Sequence, residues 1–342
     1  MPSDWQSFLA SRDARIVDGV ASDFGNPGAE RKATAEGSVV ADLSQYGVLA
    51  VAGADARAFL HGQLSCDVEG LADGGAVYGA YCTAKGRVLA SVLVWSDAGS
   101  FFLLLPRAIA AGVRKRLQQY VLRSKVVLDD RSEALAVLGL AGSAAAHAVA
   151  GVAGGAPQGA LEIARSDGIT AIALGGDRFL MLADAARAPG VWDRLAATLT
   201  PVGAPCWEWL EIASGRPWIT APTQDQFVPQ MANLEVLGAV NFRKGCYPGQ
   251  EIVARTQYLG TPKRRLHLAH VESDAAPAPG AALVADGAGE QSAGMVVNAA
   301  PAPGGGYDLL AVVQTAAAAG TVRLGASGGP ALRFRALPYA VP

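Results

Sequence analysis

Residues 78–83 and 87–95 read as two alternating strands on either side of Ala84-Lys85-Gly86. Runs of that kind joined by a glycine-bearing turn form a β-hairpin, because glycine supplies the positive φ that a tight reversal needs. A hairpin commits its sheet to antiparallel pairing, and the segments around it then set the fold class. Residues 47–51 form a short buried strand, and Asp55 can cap a helix to about residue 64 that turns Phe59 and Leu60 to the apolar side. A strand over 101–105 leads to Pro106, which opens a helix over 107–121. Strand, helix, three strands and helix in that order describe an α+β layer.

The same reading continues along the chain. A strand over 134–140, a helix over 142–150, strands over 169–174 and 178–183 and a helix over 188–199 make a second small α+β unit, with the Gly/Ala run 150–160 as its loop. From about residue 263 the pattern changes. Short runs at 265–271, 281–285, 293–298, 307–313, 321–324 and 331–335 alternate with Pro/Gly-rich turns, as in a small β-barrel. A chain of 342 residues is too long for one ordinary core, so several units are expected.

Composition removes several classes of function. Hydrophobic residues make up 51% and charged residues 17%, which excludes a disordered chain. The net charge of −2 gives the whole chain no electrostatic reason to seek nucleic acid or an anionic membrane. The mean hydropathy of +0.25 comes largely from alanine, and the most apolar stretches, 101–113 and 134–156, are interrupted well short of a membrane span. No secretory signal is visible, and four cysteines at 66, 82, 206 and 246 do not make a disulfide framework. These features point to the cytoplasm, with reduced thiols and no metal-binding cysteine set.

The segment Lys244-Gly245-Cys246-Tyr247-Pro248-Gly249-Gln250-Glu251 carries the chemistry. Two glycines and a proline in six residues forbid a regular element, so a tight loop is expected. Arg243 and Lys244 beside Cys246 favour the thiolate. Tyr247 offers a stacking face, while Gln250 and Glu251 can donate and accept along the edge of a flat heterocycle. A thiol next to a ligand-recognition strip is the functional reading; a structural turn around a small cysteine is the bland one.

That octet, followed by Ile252-Val253-Ala254-Arg255-Thr256, resembles the hallmark of the YgfZ family. Gln226-Phe227-Val228-Pro229-Gln230-Met231-Ala232-Asn233-Leu234-Glu235, Gly53-Ala54-Asp55 with Phe59-Leu60-His61-Gly62-Gln63, Ala84-Lys85-Gly86-Arg87 and Lys263-Arg264-Arg265 resemble the same family. The resemblance spans about residues 45 to 265. It implies a three-domain α+β fold like the T-protein aminomethyltransferase of glycine cleavage, built around a central cavity that holds tetrahydrofolate or another reduced folate. The implied domains are 38–130 with 206–258, then 131–205, then a C-terminal β-barrel over 259–342. It also implies a part in making or repairing iron–sulfur enzymes, an indirect effect on tRNA modification, and iron–sulfur enzymes or their assembly machinery as partners, with no direct nucleic-acid contact. Tyr46 and Trp207 fall where the family places ring-stacking residues, and Lys244, Tyr247, Gln250, Glu251 and Arg255 complete the expected binding set beside the Cys246 thiol.

Two departures bear on chemistry. T-protein relatives carry two aspartates on the strand after the hairpin turn, where this chain has Ala90 and Ser91. Neither can act as a general base or stabilise a cationic intermediate. A folate-dependent aminomethyl or one-carbon transferase, the alternative reading, is therefore disfavoured. Folate-binding relatives often carry a glutamate two positions before Gly215, where this chain has Ala213, leaving Glu208 or Glu211 to stand in.

Overall fold

In a computed structural model, which describes residues 3–260, 262–286 and 292–342, the chain is mixed α and β with three larger sheets. The first is fully antiparallel, in the order Ala76–Cys82, Val88–Asp97, Ser100–Pro106, Tyr46–Ala52, Val127–Asp130. Its hairpin turns at Gly86, whose φ of +69° is the left-handed value expected of that glycine. Helices Ala56–Gln63 and Arg107–Gln118 cover one face through Phe59, Leu60, Ile109, Val113 and Leu117. Asp55 stands at the first of these helices without capping it; its carboxylate accepts from the Lys125 amide at 2.7 Å and ties the helix to the neighbouring segment instead.

The second sheet runs Ile163–Ser166, Ile169–Gly175, Arg178–Asp184, Leu135–Ala141, Val39–Asp42, Thr200–Val202. Val39–Asp42 lies within the stretch 38–130 yet pairs with Leu135–Ala141, and its other neighbour Thr200–Val202 is parallel to it. Such three- and four-residue strands have no hairpin turn to announce them, because parallel partners are joined by long crossovers. The N-terminal helix Asp4–Ala10 and helices Ala145–Ala153 and Ala188–Ala196 cover the outer face.

The C-terminal third is a curled six-stranded sheet in the order Val322–Leu324, Ala282–Ala285, Ser292–Pro301, Tyr307–Gln314, Arg264–Val271, Arg333–Arg335. The expected barrel is met as far as this curled sheet goes. Successive side chains on a strand point to opposite faces, so each sheet feeds two cores. Val48, Leu93 and Trp95 from the first, Val137, Ile172 and Leu180 from the second, and Leu266, Leu310 and Val312 from the third meet in one shared core. Helix Ala204–Ala213 adds Cys206, Trp207 and Ile212 to it. No helix is long and apolar enough to cross a membrane among the described residues.

Candidate functional site

Helix Ala204–Ala213 starts after Gly203, with proline in its first turn. Glu208, Glu211 and Ile212 are three and four residues apart and so share one side of the helix. That side forms a wall of a cavity of about 250 Å³, completed by Gln45, Tyr46, Pro106 and Ala108 from the first sheet's margin, Arg216, Trp218 and Thr220, and Pro279, Asn298 and Ala299 from the C-terminal third. The Tyr46 and Trp218 rings stand 4.8 Å apart and tilted by 50°. Asn298 is held by the backbone of Trp218, its oxygen accepting from the Trp218 amide and its nitrogen donating to the Trp218 carbonyl, each at 2.9 Å.

The carboxylates differ sharply. Glu211 accepts from Arg178 and from the Trp218 indole, both at 3.1 Å, with Arg216 3.9 Å away. Glu208 has no hydrogen bond or ion pair among the described residues, and burial pushes its carboxyl up to about 7. Both polar atoms of the Gln45 amide are buried, with no partner among the described residues. Arg216 lies over the Tyr78 ring at 4.3 Å. An apolar-walled cavity with a tilted aromatic pair and a few polar groups suits a flat, partly polar ligand.

The second cluster is the octet. It begins as the expected loop, but Gly249, at φ +81°, is the cap of helix Gln250–Leu259, so Gln250 and Glu251 form that helix's first turn. A Cβ on Gly249 would collide with the Thr83 carbonyl and the Gly86 backbone; loop and hairpin turn therefore pack glycine against glycine. The other resembling segments converge here too. The Val88 amide donates to the Phe227 carbonyl at 2.8 Å, Gln230 donates to the Val253 carbonyl at 2.8 Å, and Arg265 binds both the Gln230 carbonyl at 2.9 Å and the Glu235 carboxylate.

Lys244 does not turn to the thiol. Its ammonium donates to the His61 carbonyl and, at 2.6 Å, to the Leu64 carbonyl, and it lies 5.2 Å above the Tyr247 ring. Burial lowers its pKa, with Cys66 and Asp67 the larger opposing influences. Tyr247 is buried beneath it, which raises its phenol, and the Lys244 ammonium takes one face of its ring. Cys246 itself is exposed, whereas Cys66, Cys82 and Cys206 are buried. Glu251 and Arg255 are exposed on the helix, and the Gln250 side chain accepts from the Tyr247 amide at 3.4 Å.

Of the ring-stacking pair expected from sequence, Tyr46 lines the cavity and Trp207 does not. Trp207 is 1% exposed, pressed so closely on Gly139 that a Cβ there would overlap its ring. Trp218, which the sequence reading missed, takes the cavity position; its signal was the Gly215-Arg216-Pro217-Trp218 stretch directly after the helix. Ala90 is buried in the helix-covered core, and the Ser91 hydroxyl accepts from the Ile219 amide at 3.0 Å. Among the described residues no group of three His, Cys, Asp or Glu side chains could hold a metal ion.

The GCVT N-terminal domain family matches residues 20–241. Three bacterial proteins named tRNA-modifying protein YgfZ are similar over two thirds of the chain. That of Colwellia psychrerythraea is 33% identical over 66% of this chain and 69% of its own length. The Klebsiella pneumoniae protein is 33% identical over 66% and 69%, and the Escherichia coli protein 32% over 66% and 70%. Among solved structures, the glycine cleavage system aminomethyltransferase T of Bartonella henselae superposes with a TM-score of 0.82 at 18% identity, covering 97% of this chain and 96% of that one. At that identity the likeness is one of fold.

Proposed function

The chain belongs to the YgfZ family within the GCVT N-terminal domain group, and from that premise we propose that it binds tetrahydrofolate or another reduced folate and assists the synthesis or repair of iron–sulfur enzymes, with Cys246 as its working thiol. The effect on tRNA modification, which the relatives' name records, then arises through those enzymes, with the protein acting in the cytoplasm on iron–sulfur enzymes or their assembly machinery. The observation that carries the folate reading is the cavity: apolar walls, the Tyr46–Trp218 pair and the Gln45 and Glu208 side chains, which have no partner among the described residues, suit a ring with a polar edge. The thiol reading is supported by the exposure of Cys246 on a loop held by Lys244 and the Gly86–Gly249 contact. A one-carbon transferase is supported less well, because Ala90 brings no polar group and the Ser91 hydroxyl is engaged by Ile219.

Tetrahydrofolate titration by tryptophan fluorescence tests the ligand. Trp218→Ala weakens binding by about 1–3 kcal/mol, the usual worth of a lost stacking face. Trp207→Ala costs about 3–5 kcal/mol of stability as a large-to-small core change, while its folded fraction binds like the wild type. Cys246→Ser binds folate normally and fails to restore iron–sulfur enzyme activity in a deficient cell. Rescue by the serine variant, or no folate binding by the wild type, would overturn the respective half of the proposal.

A further inference from the structure

Within the cavity, the helix presents two carboxylates on one side, and the described residues engage only one of them. Glu211 is closed off by Arg178, the Trp218 indole and nearby Arg216. Glu208, one turn earlier, lines the same wall and has no hydrogen bond or ion pair among the described residues. Across the cavity margin the buried Gln45 amide has both a donor and an acceptor with no partner among the described residues, although buried polar groups are ordinarily paired. We infer that Glu208 and Gln45 form the recognition edge of this cavity, Glu208 taking two adjacent N–H donors of a flat heterocycle and Gln45 a second polar position on the same ligand. This assignment rests on the folate reading, since the aminopyrimidine side of a reduced folate offers such a pair of donors. It places the carboxylate five residues before Ala213, on the cavity side of the helix.

A carboxylate that accepts two N–H groups must be ionised, and unliganded Glu208 titrates at about 7 because burial disfavours its charge. Ligand binding below that pH therefore expels a proton. The other charged and titratable groups facing it do not replace it. Glu211 and Arg178 neutralise one another, Arg216 stands by Glu211, and burial raises the Tyr46 phenol beyond the working range. On the packed strand Tyr307–Gln314, Asp308 is engaged by Trp209, His270 and Arg335.

The test is calorimetric titration with tetrahydrofolate at pH 6 and pH 8, each in two buffers of different ionisation heat. The wild type releases close to one proton per ligand at pH 6 and almost none at pH 8. Its affinity rises about tenfold between them, as the ionised fraction does. Glu208→Gln binds more weakly, with no proton release and a flat pH profile; Gln45→Leu weakens binding but keeps the proton release. Binding by the wild type without proton release, or release that persists in Glu208→Gln, overturns the assignment alone. Absence of binding by the wild type overturns the folate reading and this assignment with it.

Discussion

Cys246 differs from the other three cysteines in what surrounds its sulfur more than in what precedes it in the chain. Burial pushes Cys66 and Cys82 up to about 12 and raises Cys206 as well, so none of them supplies appreciable thiolate near neutrality. Cys246 is exposed, and among the described residues no hydrogen bond or ion pair reaches its sulfur. Iodoacetamide applied to the native protein at pH 7.5 is expected to give a single adduct, at Cys246, by peptide mass mapping, with the other three modified only in denaturant. Earlier labelling at Cys66, Cys82 or Cys206 would contradict the burial. The sequence made Lys244 the activator of the thiol by adjacency. The fold instead turns that side chain into a clamp on the carbonyls of His61 and Leu64, where it shapes the loop rather than charging the sulfur.

At the scale of elements, the octet and the hairpin turn are parts of one construction. Gly86 at φ +69° and Gly249 at φ +81° face each other with no room for a side chain between them. Gly249→Ala is expected to cost about 1–3 kcal/mol from the left-handed backbone alone, with the collision against Thr83 and Gly86 adding to it. Hydrogen exchange should show faster amide turnover over residues 244–252 while the second sheet keeps its protection. Uniform loss of protection, or none, would show that the contact does not hold the loop. The glycines and proline made the loop legible from sequence. The helix that begins at Gln250 was not, because no Ser, Thr, Asp or Asn caps it; its start depends on a glycine conformation braced by a turn some 160 residues away in the chain.

For the molecule as a whole, helix Ala204–Ala213 contributes to the core that the three sheets share, and its ionisable groups register that position. Arg178 on the second sheet pairs with Glu211 in the shared interior, and desolvation lowers the arginine against the pull of its partner. Glu208 affects stability in a predictable direction. Its folded pKa of about 7 exceeds the unfolded carboxyl value, so the folded chain retains a proton that the unfolded chain gives up. That contribution is complete at low pH and is lost as pH rises toward 7, leaving an ionised carboxylate held at a cost. Ligand-free Glu208→Gln is therefore expected to match the wild type near pH 4.5 and to exceed it at pH 8 by up to about 3 kcal/mol in urea unfolding. Equal stability at both pH values would contradict the burial of this carboxyl.

Local chemistry along the chain was sufficient to determine the hairpin at Gly86, the helix after Pro106, the three-part order and the loop over residues 244–249 that bears the thiol, because each depends on residues within one turn or one strand alternation. The parallel pair Val39–Asp42 and Thr200–Val202, the place of Trp207 in the core rather than the cavity, and the pairing of Arg178 with Glu211 rather than Glu208 were decided only by the tertiary structure. Each of those depends on what arrives from a distant segment. Gly139 leaves space for one tryptophan, Arg178 occupies one glutamate, and nothing within either short strand specifies the other as its neighbour.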